Sequence, residues 1–247
     1  MIRISPVLLT GVAILLAAPV HAQQAAAPAP AAISQQYEIL DTADFAPEKM
    51  LPPPPEQGSA LETLELKQLR SLIGQTSADR MKQAQWDDLH EDPAIFDAVL
   101  GVPLQSLPMT WALLKTVQNE GDVAAAMAKR HFNRTRPWGV DPTLPNCDTG
   151  KGKKPNNGYP SGHSTLGYSV GFVLAHIIPA KATAILARAQ DYALSRQICG
   201  VHFASDTEAS HVIGSLVAHR LLASPKLADR IAQARIELAA ATKTTTE

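Results

Sequence analysis

Helical periodicity, unbroken by any strand pattern, is what most limits the folds open to this chain. Ser59 with Glu62 three residues on is a capping-box signature, and Leu61, Leu64, Leu69, Leu72 and Ile73 follow at helical spacings. Leu104 to Arg130 has few helix breakers after Pro108 apart from Gly121, and includes three successive alanines, 124–126. Within 164–178, Leu166, Val170, Val173 and Ile177 share one helical face. Residues 180–198, 204–223 and 226–241 keep the same period, the last opening on Ser224-Pro225, a cap residue and a first-turn proline. There is no alternating run, no hairpin turn between β-branched residues and no internal repeat. The expectation is an all-α, single-domain helical bundle over 59–247. With 247 residues, 45% apolar and 18% charged, the chain can fill one core of that kind.

The N-terminus has a different character. Met1-Ile2-Arg3 is a short basic start, Val7 to Val20 is mostly apolar, and Val20-His21-Ala22 offers a small-x-small cleavage site. That layout predicts a signal peptide over 1–22, hence a periplasmic or secreted protein. About 14 apolar residues are too few to span ~30 Å of hydrocarbon, and no later segment has 18 in a row. No membrane association is therefore expected after cleavage. Residues 23–58 read as an Ala/Pro-rich leader ending in an extended surface segment around Pro52-Pro53-Pro54-Pro55. Export would place Cys147 and Cys199 in an oxidising compartment, making them a disulfide candidate, with two buried thiols as the alternative. The formal charge of −1 gives no global reason to expect nucleic acid as a partner.

Chemistry concentrates between residues 129 and 206. The segment 137–160 is rich in proline, glycine and asparagine, and a loop that long inside a helical domain is usually functional. It lies in a locally basic region: between Ala128 and Lys154 stand seven Lys/Arg against Asp141 and Asp148, a local +5. Tyr159-Pro160-Ser161-Gly162-His163 then leads into an apolar helix, with Ser161 as its N-cap and Gly162 allowing close approach to the backbone. A helix start of this kind suits an anion, and His163 would point into it. Further on, Ser195-Arg196 is followed by His202 and Asp206, whose i, i+4 spacing lets the carboxylate reach the imidazole.

Lys129, six residues, Arg136-Pro137; Pro160-Ser161-Gly162-His163; Ser195-Arg196, five residues, His202, three residues, Asp206: in this order the three clusters resemble the signature of the type 2 phosphatidic acid phosphatase and vanadium haloperoxidase superfamily. The leader, the proline block and Tyr-Pro-Ser-Gly-His are most similar to the bacterial class A nonspecific acid phosphatases. One departure is Phe203-Ala204, where that group more often has Trp-Gln; the pair is expected to alter the pocket lining. The resemblance implies an acid phosphatase of broad specificity for phosphate monoesters, with phosphotransfer as a side activity and homo-oligomers of two or more chains.

The residue roles follow from that implication. Lys129, Arg136 and Arg196 would surround the phosphoryl oxygens, with Ser161 and the Gly162 N–H completing the cradle. His202 would attack phosphorus and form a phosphohistidine, its tautomer set by Asp206, while His163 protonates the leaving alkoxide and then assists water. His202 must start neutral and His163 protonated, which implies a bell-shaped rate profile on the acid side of neutrality. No metal and no cofactor is expected, because cations already occupy the metal's role. Competing readings are a metal triad of His163, His202 and Asp206, a vanadate-dependent haloperoxidase, and a periplasmic phosphate-binding protein without turnover.

Overall fold

The structure, a computed structural model, describes Met1, residues 36–147 and residues 155–243. The chain divides into Met1–Ala32 and a compact unit from Ile33 to Glu247, and only the latter concerns the fold. The expected signal peptide, residues 23–35 of the leader, Asp148, and the basic residues Lys151, Lys153 and Lys154 lie outside the described residues.

The described residues contain helices and no strand. Seven helices exceed ten residues: α1 Ala60–Gln75, α2 Ala78–Leu89, α3 Pro108–Phe132, α4 Gly162–Ile177, α5 Ala182–Ile198, α6 Ala204–Leu222 and α7 Ala228–Lys243. The expected all-α class is the one the chain adopts. Ser59 caps α1, its hydroxyl accepting from Glu62 N at 3.2 Å while Glu62 Oε2 accepts from Gly58 N at 2.7 Å. α3 starts on Pro108 at its first turn and ends at Asn133, whose φ of 48° is left-handed and whose N–H closes on Lys129 O at 3.0 Å. α2 does not announce itself in the sequence, because only Ala84 and Asp87 of its twelve residues are buried.

α4 runs through the middle of the bundle, packed between α3, α5 and α6. Leu166, Val170 and Leu174 of α4 meet Leu113, Leu114 and Val117 of α3 and Ile213 and Val217 of α6 in one fully buried cluster, closed from α7 by Leu238. α6 comes close enough to α4 for its backbone to touch. A Cβ at Gly214 would lie 2.9 Å from Tyr168 Cβ, 3.0 Å from Thr165 O and 3.1 Å from Ser169 N. Among the described residues no helix is long and apolar enough to cross a membrane.

The expected leader is more engaged than its composition suggests. Glu120, fully buried on α3, accepts the main-chain N–H groups of Glu38, Ile39 and Leu40 at 2.6, 3.2 and 2.9 Å. Phe45 and Leu51 are buried in the main core, and Pro52 O accepts the Tyr159 hydroxyl at 2.6 Å. Residues 36–51 therefore belong to the bundle although they carry no helical period. Their anchor is one buried carboxylate far along the chain.

Gly214→Ala is expected to destabilise the protein by about 1–3 kcal/mol, because two of the three contacts are backbone atoms that cannot rotate away. The better helix propensity of alanine offsets only ~1 kcal/mol of that strain. Thermal melting should show a midpoint lowered by several degrees, at roughly 2–4 °C per kcal/mol.

Candidate active site

The start of α4 faces a cavity of about 470 Å³, into which the expected residues converge. Lys129 comes from the last turn of α3, Arg136 from the following loop, Gly162 and His163 from the first turn of α4, Arg196 from the last turn of α5, and His202 from just before α6. Asp88, Leu89 and Glu91, at and after the end of α2, close the remaining side.

His202 is 1% exposed and hydrogen-bonded through both ring nitrogens. Nδ1 lies 2.7 Å from Gly158 O, and a carbonyl can only accept, so Nδ1 carries the hydrogen. Nε2 is 3.2 Å from Arg136 Nη1, a group that can only donate, so Nε2 holds a lone pair. Burial, then the charges of Arg136, Lys129, Arg196 and His163, hold its pKa well below the usual histidine value. The ring is neutral, with its lone pair on Nε2.

Asp206 sits differently from the i, i+4 picture. His202 precedes α6 rather than lying on it, and Asp206 is the third residue of that helix, where Oδ2 accepts from Phe203 N at 2.7 Å. Oδ2 is 3.4 Å from His202 Nδ1, so the nearer anchor of the tautomer is Gly158 O, with the carboxylate beside it. The other oxygen, Oδ1, accepts from Arg134 Nη1 at 2.6 Å. Arg134 is itself buried, donating also to Ser205 Oγ at 2.6 Å and to Glu65 Oε2 of α1 at 2.8 Å, with its guanidinium 4.3 Å from the Phe203 ring centroid. Burial pushes Asp206 up to about 6, and Arg134 and the Phe203 N–H limit that rise. Both carboxylate oxygens are thus engaged. Among the described residues no three His, Cys, Asp or Glu side chains are grouped to hold a metal ion.

His163 has acceptors on both sides: Nδ1 is 2.9 Å from Glu91 Oε1 and Nε2 is 3.1 Å from Asp88 O. Only a doubly protonated ring satisfies both. Arg196 Nη1 pairs with Asp88 Oδ1, while its Nε–H is buried with no partner among the described residues, a donor suited to an anion. Lys129 Nζ donates to Asn157 O at 2.9 Å. Burial and the neighbouring Arg136 lower its pKa to about 7, with Arg196 acting in the same direction and Asp206 and Glu91 opposing.

Ser161 is brought to the same helix start but not onto the cavity wall. It is fully buried, and its Oγ accepts from Ser164 N at 3.3 Å and from the Ser164 hydroxyl at 3.0 Å as the cap of α4. Phe203 and Ala204 also fail to line the cavity. Phe203 is buried beneath Arg134, and Ala204 faces a separate cavity of about 650 Å³ beside Tyr168 and Glu208. With His202 facing the site, the next two residues turn away from it, so the Trp-Gln departure does not alter the pocket. Of the basic cluster, Lys129 and Arg136 face the cavity, Arg134 is internal and Arg130 is exposed.

Cys147 and Cys199 are disulfide-bonded, with Cα atoms 5.0 Å apart, and Cys147 N donates to Cys199 O at 3.3 Å. Gly200 follows at φ 68°, with Pro145 O only 2.1 Å from where a Cβ would stand, so no other residue fits. This clamp aims Val201 O at Arg136 Nη1, 3.1 Å away, and presents His202. Sequence reasoning missed Glu65, Asp88, Glu91, Arg134 and Gly158. Arg134 alone left a trace, as one of the clustered cations.

The PAP2 superfamily pattern matches residues 110–229. The chain is 30% identical over 199 residues to the non-specific acid phosphatase of Salmonella typhimurium, covering 76% of this chain and 78% of that one. It is 31% identical over 198 residues to that of Providencia stuartii, covering 77% and 79%. This chain belongs to the PAP2 superfamily. An acid phosphatase of Zymomonas mobilis is 34% identical over 174 residues, 67% of this chain and 65% of that protein. The fold of this PAP2 member resembles that of a transmembrane PAP2-type phosphatidylglycerolphosphate phosphatase from Bacillus subtilis, with a TM-score of 0.51 at 17% identity over 66% of this chain and 85% of that one.

Removing Arg134 strands two buried carboxylates. Arg134→Met is expected to cost about 3–5 kcal/mol, read as a lower urea midpoint, and to reduce turnover in the protein that remains folded. The pH dependence follows from two groups. Lys129 is charged only below about 7, and His202 is protonated only at pH well below its ordinary value. Anion affinity, measured with inorganic phosphate as a competitive ligand, should therefore fall as pH rises through about 7, and kcat/KM should fall with it. At the acid end kcat/KM should fall again as His202 gains a proton.

Proposed function

We propose that this chain is a metal-independent acid phosphatase that hydrolyses phosphate monoesters through a phosphohistidine on His202. The observation that carries the reading is a neutral, buried imidazole whose Nε2 lone pair faces a cavity lined by Lys129, Arg136 and Arg196. A module that only bound phosphate would have no use for that lone pair or for a second, cationic imidazole opposite. The named acid phosphatases among its relatives support the same substrate class.

In this reading the three cations and the Gly162 N–H hold the non-bridging oxygens, whose charge grows in the transition state. His202 Nε2 bonds to phosphorus as the ester P–O bond breaks, and a proton from His163 passes to the leaving oxygen. Water then bonds to phosphorus, the P–N bond breaks, and the water proton returns to His163. An alcohol in place of water would give phosphotransfer by the same step. Export to the periplasm belongs to the proposal, supported by the N-terminal layout and by the disulfide between the chain's two cysteines.

His202→Ala should lower hydrolysis of p-nitrophenyl phosphate by about a thousandfold or more, while inorganic phosphate still binds. Rapid acid-free quenching of wild-type turnover should trap acid-labile, base-stable phosphate on His202, attached at Nε2 because Nδ1 faces Gly158 O. EDTA should leave the rate unchanged. Hydrolysis surviving at the original rate in His202→Ala would assign the nucleophile elsewhere.

A further inference from the structure

We infer that Glu91 is the positioning residue for His163: its carboxylate keeps a proton on Nδ1, so that Nε2 alone exchanges protons with the leaving group and with water. The inference rests on the phosphatase reading and deepens it. The resemblance to known phosphatases assigned roles to both histidines but none to Glu91.

Glu91 stands two residues beyond α2, its backbone fixed where Gln118 Nε2 of α3 donates to Glu91 O at 2.9 Å. The carboxylate meets His163 Nδ1 at 2.9 Å across a wall of the phosphate cavity. An acid is an adverse choice there on charge alone, since it opposes the anion the cavity must attract. It remains ionised regardless. Burial would raise its pKa, but the charge and hydrogen bond of His163, with Arg196 and Lys129 behind them, hold it at about 2, and 44% of the side chain stays in solvent. An ionised acceptor on Nδ1 stabilises the imidazolium before transfer and selects the Nδ1–H tautomer after it.

The proton accounting is then complete. As the P–O bond breaks and His202 Nε2 bonds to phosphorus, the His163 Nε2–H bond breaks and the proton forms O–H on the leaving group, exchanging the 3.1 Å contact with Asp88 O for one with that oxygen. The Nε2 lone pair left behind takes a proton from the water that displaces His202. Other groups facing this pair are Asp88 of α2, Tyr192 and Arg196 of α5, Lys129 of α3, and Arg136 and His202 across the cavity, with the Tyr192 ring 5.8 Å from that of His163. Asp122 of α3 also feels Glu91; burial and that charge raise it to about 8.

The test is Glu91→Gln and Glu91→Asp in the full chain, with kcat/KM for p-nitrophenyl phosphate, phenyl phosphate and glycerol phosphate across pH. Nitrophenolate leaves with little protonation, whereas phenolate and alkoxide need the acid. Glu91→Gln should keep p-nitrophenyl phosphate within about threefold of wild type and lose about tenfold or more on the other two, with Glu91→Asp recovering part of that loss. Loss of the Glu91 charge also lowers Lys129 for all three substrates, so the basic limb should move to lower pH with each of them. It should move further for the two poor leaving groups, which alone depend on the proton donor. An equal loss on every substrate, with the limbs displaced equally for all three, would make Glu91 a wall of the pocket and overturn the inference, as would unchanged rates. If the wild type hydrolyses none of the three esters, the phosphatase reading itself fails, a result distinct from either.

Discussion

Arg134 is a guanidinium with 3% of its side chain in solvent, and the active site is arranged around how that charge is held. Its partners are carboxylates from two distant helices, Glu65 of α1 and Asp206 of α6, 69 and 72 residues away. Satisfying Arg134 therefore fixes how α1 meets the start of α6. Because Asp206 also accepts the Phe203 N–H, the same contact fixes the short loop that presents His202. Buried ion pairs roughly break even against apolar packing, so what this one contributes is geometric specification more than net stability. The Cys147–Cys199 bond acts on that loop from its other end, three residues before His202.

The two imidazoles face opposite sets of hydrogen-bond partners. His202 has a carbonyl at Nδ1 and a guanidinium at Nε2, one acceptor and one donor, which suits a neutral ring. His163 has a carboxylate at Nδ1 and a carbonyl at Nε2, two acceptors, which suits a cation. Burial, with Lys129, Arg136 and Arg196, suppresses protonation of His202, whereas His163 has the Glu91 carboxylate 2.9 Å from Nδ1.

Helices with a broad apolar stripe were legible in the sequence: α1, α3, α4, α5, α6 and α7 fall close to their periodic segments. α2 was not, since its buried face is Ala84 and a charged Asp87 that accepts Arg188. The site was legible where the chemistry is local to a cluster, as for His163 beside its helix start or Arg196 at the end of α5. What escaped depends on contacts that spacing does not encode. Gly158 meets His202 across 44 residues through a backbone carbonyl, which any residue type would supply. Arg134 counted as one more cation in a basic loop, and nothing in its neighbours marks it as internal. Asp206 was placed beside His202 by helical spacing, yet α6 begins at Ala204, and the contact arises from a capping turn instead.

Charge balance explains why such a cavity should work in acid. Lys129, Arg136, Arg196 and protonated His163 give +4, and Asp88 and Glu91 subtract two, leaving +2 on the cavity wall. A net positive wall of that kind suits a phosphate ester anion. The acids are also placed to spare the binding donors: Asp88 takes one nitrogen of Arg196 and leaves the buried Nε–H, and Glu91 takes the side of His163 away from Asp88 O. Of the three cations on the wall from Lys and Arg, one is a lysine crowded to about 7 by burial and by Arg136. An arginine at that position would keep its charge at every accessible pH. With lysine, the wall loses one positive charge above neutrality, so attraction for a phosphate anion weakens on the alkaline side while the neutral state of His202 is unchanged there.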